Sequence, residues 1–167
     1  MSETRPNQRP DNAGVIAPPP LIGLATVLMG VLLDWLFPLS VLGGLLKWPA
    51  RAVIGAPLFA AGAALLVVAE RTFKRIGTNV PPWEPTLMLA TVGIYERMRN
   101  PMYVGGILMM VGFAIALALD WMLLLIVLAA LLIHFGVVLR EERYLETKFG
   151  DDYRRYKARV PRYGWRT

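Results

Sequence analysis

The chain has 167 residues, 56% of them hydrophobic and 18% charged, with a mean hydropathy of +0.47 and a formal net charge of +6. That is too apolar for an ordinary soluble domain of this length, so the sequence reads as a small integral membrane protein. Having no cysteine excludes disulfides, zinc thiolates and thiol catalysis, a single histidine excludes a multi-histidine cluster, and no metal site is expected.

In chain order, residues 1–20 are polar and proline-rich, with two arginines, two acids and no signal-peptide pattern; a disordered tail is expected there. One domain is expected over 21–167. Four hydrocarbon-length segments follow, at about 21–37, 52–69, 101–119 and 121–139. At ~1.5 Å per residue each spans roughly 25 to 29 Å, near the ~30 Å bilayer core. Between the second and third lies a loop over 70–100, whose Gly77, Pro81, Pro82 and Pro85 prevent one continuous helix. Its Trp83, Leu87, Met88, Leu89, Ile94 and Tyr95 call for burial, so the loop is expected to pack on the mouth of the bundle.

The third and fourth segments meet at Asp120 with almost no linker, which predicts a tight antiparallel hairpin. Beyond it, Leu145, Phe149, Tyr153, Tyr156 and Val160 recur at helical spacing, with Gly150 placed to bend the run into two short helices over 140–167. The fold class is therefore all-α and polytopic, with about four transmembrane helices and a helical C-terminal tail. Four crossings put sixteen of the eighteen Lys and Arg on the side that carries both termini and the 70–100 loop, leaving Lys47 and Arg51 opposite. The positive-inside rule makes that side cytoplasmic, most simply at the inner (plasma) membrane. The positive charge reads as topology and attraction to lipid headgroups, and no nucleic acid partner is expected.

The hairpin returns Arg99 and Asn100, at the start of the third segment, to Arg140, Glu141 and Glu142 at the end of the fourth. An arginine fork, an amide, two acids and the rings of Tyr95 and Tyr103 make a set suited to a zwitterionic aromatic ligand. The plainer reading is as good on these residues alone: arginines at the interface, acids as their ion-pair partners, and Asn100–Pro101 as a cap with a first-turn proline. His134 lies seven residues before Glu141, on the same face of a regular helix, and is a candidate pocket-lining residue.

The series Gly77–Thr78, Pro81–Pro82, LMLATVGIYERMRNPMYVGG (87–106) and REERYLETKFGDDYRRYKARVPR (140–162) resembles the isoprenylcysteine carboxyl methyltransferase family and its broader phospholipid methyltransferase relatives. In that family an Arg-His-Pro-x-Tyr motif opens one membrane helix and a Glu-Glu pair closes the next. The resemblance implies S-adenosylmethionine as cofactor and a lipophilic small molecule or lipid as acceptor, entering from the bilayer. By the same carry-over, Leu87, Met88, Leu89, Ala90, Tyr95, Asn100, Pro101, Met102, Tyr103 and Glu142 would bind the cofactor, with Glu141, Arg140 and Arg99 at the reacting centre. Asn100 replaces the motif histidine, and Val137 stands where eukaryotic members carry a substrate-binding arginine, for which Arg140 is the nearest substitute. Two other classes remain open on sequence: a membrane reductase of the steroid-reductase type using NADPH, and a non-catalytic module that binds lipid or a partner. The small-residue series of Gly105, Gly106 and Gly112 permits close helix packing within one chain or between two, so the oligomeric state is open.

Overall fold

The computed structural model describes residues 11–164, and among these the regular structure is entirely helical. Helix α1 covers Pro19–Leu36, the short α2 Val41–Leu45, α3 Trp48–Ile76, α4 Pro101–Leu117, α5 Asp120–Ile133 and α6 Leu139–Arg159; a 3₁₀ turn occupies Gly93–Glu96. A π segment, His134–Val138, joins α5 to α6 without a break, so one long rod replaces the separate span and tail read from sequence. The expected bend is present as a kink inside α6, where Gly150 leaves helical geometry with φ of 52°.

Three stretches are long and apolar enough to cross a membrane: α1, α3, and the rod beginning at Asp120. Helix α4, at 17 residues, is apolar but shorter. The packing shows why lipid is the solvent. On α5, Met122, Ile126, Ala129 and Ile133 face inward, while Leu124, Val127, Leu128 and Leu131 form a second helical stripe that is half or more exposed. A helix that is apolar on both faces is stable only where its outer face meets hydrocarbon. The protein is an integral membrane protein.

Helix α4 sits between α3 and α5, and α1 covers α5. The α3–α4 contact is backbone against backbone. Gly55 and Gly62 lie two turns apart on one face of α3, as do Gly105 and Gly112 on α4. A Cβ on Gly62 would collide with the main chain of Gly105 and Met109, and one on Gly112 with that of Gly55 and Phe59. At the far end Asp120 accepts hydrogen bonds from the amides of Val41 and Leu42, both at 3.0 Å, satisfying two otherwise unpaired donors at the start of α2.

Two expectations are corrected. The first ten residues of the expected disordered tail lie outside the described residues, but Asp11–Ile16 are held against the body by Lys148, Tyr144, Pro82, Arg140 and Gly136. Of the loop residues expected to be buried, Tyr95 is buried and stacks on Phe73 with ring centroids 4.9 Å apart. Trp83, Leu87 and Met88 instead remain about half exposed. Burial in protein is needed only where the alternative is water, and these side chains lie near the end of an apolar bundle.

Candidate active site at the mouth of the helical hairpin

The site forms where the 77–100 segment meets α4 and α6. Thr78 is buried just past the end of α3, and its Oγ1 accepts the amides of Leu87 (3.1 Å) and Met88 (3.2 Å), closing residues 78–88 into a loop. Asn79 tightens the same loop by donating to the Pro85 carbonyl at 2.9 Å. The chain then runs without regular structure through Leu89 and Ala90, whose main-chain amides find no acceptor among the described residues.

Beside it, Glu141 and Glu142 on α6 meet polar side chains from α4 and from the residues that flank the two helices. The Tyr103 hydroxyl donates to Glu141 Oε1 at 2.6 Å. One helix position later, Glu142 is fully committed to arginines. Arg99 Nη1 lies 2.8 Å from Oε1, and Arg162 donates through Nε to Oε1 at 2.7 Å and through Nη2 to Oε2 at 2.8 Å. Arg99 also donates to the Tyr153 hydroxyl at 3.2 Å, and its buried Nε has no hydrogen-bond partner among the described residues. Asn100 does not cap α4; its amide donates to the Arg162 carbonyl at 3.2 Å, and the Arg99 amide donates to that of Pro161 at 2.9 Å. Pro101 occupies the first turn, where its missing N–H costs nothing. These bonds fold the segment after α6 back over the start of α4.

The charges differ in kind. Burial pushes the Glu141 carboxyl up to about 7, the charge of Glu142 adds to this, and the Tyr103 hydrogen bond only partly offsets it. For Glu142 burial acts in the same direction, but the Arg162 hydrogen bonds and the charges of Arg99, Arg162 and Lys157 outweigh it and hold the carboxylate below its ordinary range. Burial pushes the Tyr153 hydroxyl up to about 12, so at neutral pH it stays protonated.

Arg99, Tyr103, Glu141, Glu142 and Tyr153 border a cavity of about 100 Å³, together with Phe73, Tyr144, Leu145, Tyr156 and Ala13. Among the residues named from sequence, it brings together Met88, Leu89, Ala90, Tyr95, Arg99, Asn100, Pro101, Met102, Tyr103, Glu141 and Glu142. Leu87 turns its side chain outward and is outside it. Arg140 is exposed, donates to the Gly14 carbonyl at 2.8 Å and does not line the cavity. His134, expected to line the pocket, bonds to the Tyr163 hydroxyl at 2.7 Å instead. Its seven-residue spacing from Glu141 preserves the face only in a regular α-helix. The π turn between them inserts the equivalent of one residue and rotates the face by about 100°.

A second, larger cavity of about 580 Å³ opens between α1 and α3 with α4 as its floor. It is lined by apolar side chains such as Leu24, Val27, Leu66, Ile107 and Met110, with Glu70 at its edge. The two cavities share Val80, Pro81, Pro82, Met102 and Tyr103 as a common wall. Residues missed from sequence are Thr78, Tyr144, Tyr153, Tyr156 and Arg162. Tyr153 and Tyr156 were visible only as part of an apolar repeat, and Tyr144 was outside it. Arg162 follows Pro161, and nothing local announces that the chain turns back there.

Residues 50–152 match the phospholipid methyltransferase family. A 62-residue stretch is 39% identical to an uncharacterized protein of Haemophilus influenzae, covering 37% of this chain and 98% of that protein. No solved structure matches the chain.

Proposed function

Since the chain belongs to the phospholipid methyltransferase family and is thus a membrane methyltransferase, we propose that it moves a methyl group from S-adenosylmethionine to a lipophilic acceptor at the cytoplasmic membrane face. The observation that carries this reading is the shared wall: Tyr103, bonded to Glu141, divides a cavity with Arg99, Glu141 and Glu142 in its wall from an apolar groove.

The residues present fit the cofactor. Arg99 keeps a buried N–H without an acceptor among the described residues, suited to a carboxylate. Glu141 has one oxygen, Oε1, engaged by Tyr103 and can face a cation with the other. The amides of Leu89 and Ala90, unpaired among the described residues, and the rings of Tyr95 and Tyr156 suit a flat, hydrogen-bonding base. When bound, the cofactor supplies a methyl already made electrophilic by its sulfonium. The protein's contribution is then placement and exclusion of water, and orientation of this kind contributes roughly 7–11 kcal/mol. Tyr103 fixes the Glu141 carboxylate, and Glu142, held by two arginines, keeps Arg99 in place. A carboxylate acceptor needs no base; an amine or thiol acceptor would give its proton to Glu141. The groove holds the acceptor's tail in the bilayer while its headgroup reaches the Tyr103 wall.

The test is calorimetric titration of the detergent-solubilised protein with S-adenosylhomocysteine and, separately, with NADPH. Saturable binding of the first, lost in Tyr103→Ala and weakened in Glu141→Gln, is expected. A folded protein that binds NADPH and not S-adenosylhomocysteine would overturn the proposal in favour of a reductase.

A further inference from the structure

Four positions along the rod, Gly136, Arg140, Tyr144 and Lys148, stand four residues apart. Each spends a group on the same short piece of chain. The Gly136 carbonyl accepts the Ile16 amide at 3.2 Å. Arg140 Nη1 donates to the Gly14 carbonyl at 2.8 Å. The Tyr144 hydroxyl donates to Asp11 Oδ1 at 2.8 Å while accepting the Thr86 amide at 3.1 Å. Lys148 Nζ lies 2.8 and 2.7 Å from the two Asp11 carboxylate oxygens. Ile16 rests where a side chain at Gly136 would be, since a Cβ there would strike the end of the Ile16 side chain. On its other edge the piece is tied to the loop by the Ala13 amide, which donates to the Pro82 carbonyl at 3.3 Å. Ala13 is part of the cavity wall.

We propose that residues 11–16 are a strap over the cofactor cavity, docked on this track, that lifts to exchange the ligand and closes on it; the proposal rests on the cofactor reading above. Size supplies the reason for movement. Sites for molecules of this class measure roughly 300–1,000 Å³, whereas the partly open space here is about 100 Å³, so a ligand of that class needs more room than these walls leave. The other walls are poorly placed to provide it. Helix α6 is tied to α4 by Tyr103–Glu141 and to the residue pair before α4 by the buried Arg99–Glu142 contact, and the loop is closed on Thr78. The strap has no regular structure, and its ion pair is open to water, with the Asp11 side chain 57% and that of Lys148 26% exposed. Exposed pairs of this kind hold weakly and re-form easily. The strap lies outside the 50–152 stretch that the family matches.

The absence of cysteine makes a direct test available. In Asp11→Cys/Lys148→Cys, a short bis-maleimide bridges strap to track, and the unbridged double variant is the released control. Exchange of radiolabelled S-adenosylhomocysteine is expected to slow about tenfold or more on bridging and to quicken in the unbridged form, as for other lids that limit ligand release. Hydrogen exchange at the Ala13 and Ile16 amides of the unmodified protein is expected to slow when S-adenosylhomocysteine is added. It should quicken in Gly136→Ala, which dislodges Ile16. Saturable binding with equal exchange rates, bridged and unbridged, would overturn the strap alone. No saturable binding to the unmodified protein would overturn the cofactor reading and the strap with it.

Discussion

Glu141 and Glu142 are neighbours in sequence with opposite environments, and this difference is the sharpest chemical feature of the molecule. With its carboxyl near 7, Glu141 is protonated in weak acid and anionic in weak base. A sulfonium cation favours the anion, so affinity for S-adenosylmethionine is expected to rise as pH increases through about 7 and then level off. Its uncharged-sulfur product should show a shallower slope, and calorimetry across the range would measure both. Stability runs the other way. The folded protein holds the Glu141 proton more tightly than the unfolded chain does, so this group's contribution is lost as pH rises from the ordinary carboxylate range towards 7. Glu141→Gln should therefore flatten the binding profile yet raise the melting temperature at pH 8. A variant that lost both would contradict the assignment. For Glu142, whose proton affinity is lowered on folding, the stabilisation is present above the ordinary range and fades in acid. Glu142→Ala strands the buried Arg99, and a loss of about 3–5 kcal/mol is expected in detergent unfolding experiments. Arg162→Ala, which removes the more exposed partner, should cost less. Arg99, Asn100, Tyr103 and the two glutamates were legible in the sequence because polar residues clustered at both ends of one hairpin have few places to go. Arg162 was not, because its pairing depends on a chain reversal after Pro161 that no periodicity records.

Element packing follows from glycine placement, and here the sequence spoke only in part. The glycines at 105, 106 and 112 advertised close approach without saying which of them meets a neighbour. Gly105 and Gly112 do, against Gly62 and Gly55, whereas a side chain at Gly106 would meet nothing within 4 Å and would project towards the apolar groove. The two positions should therefore respond in opposite ways. Gly112→Ala forces apart two main chains that cannot yield as a side chain would, and a loss of about 1–3 kcal/mol is expected. Gly106→Ala should be neutral or slightly stabilising, by up to about 1 kcal/mol, since alanine is the better helix former. The larger Gly106→Leu would fill part of the groove, raising KM for long-tailed acceptors while S-adenosylhomocysteine binding is preserved. Thermal unfolding separates the first pair, and acceptor kinetics test the third. The π segment explains the remaining misreading at this scale. Helical spacing placed His134 with Glu141, but a single widened turn broke the register between them.

For the whole molecule, the site constrains the path of the chain through the bilayer. The start of α4, at Pro101, and Glu141, beyond the apolar part of the rod, border the same cavity and so share one face. Asp120, at the beginning of α5, instead holds α2 at the opposite end of the bundle. If the rod crosses from Asp120 to Glu141, the chain must already have crossed in the other direction between Pro101 and Asp120. Helix α4 is the only segment there to do it. Its 17 residues reach roughly 25 Å, short of a ~30 Å core. Its seam with the 29-residue α3 supplies protein contact along its length, so it need not span alone. We therefore expect four crossings, with both termini on the face that carries the 70–100 loop and most of the basic residues. Phosphatase reporters, active only outside the cytoplasm, should be silent after Thr167 and active after Lys47 and after Ala118. Three crossings, with α4 lying on the surface, would invert the readings so that Ala118 and Lys47 disagree. The cavity could then not have Pro101 and Glu141 on one wall, and the proposed site would fall with the topology.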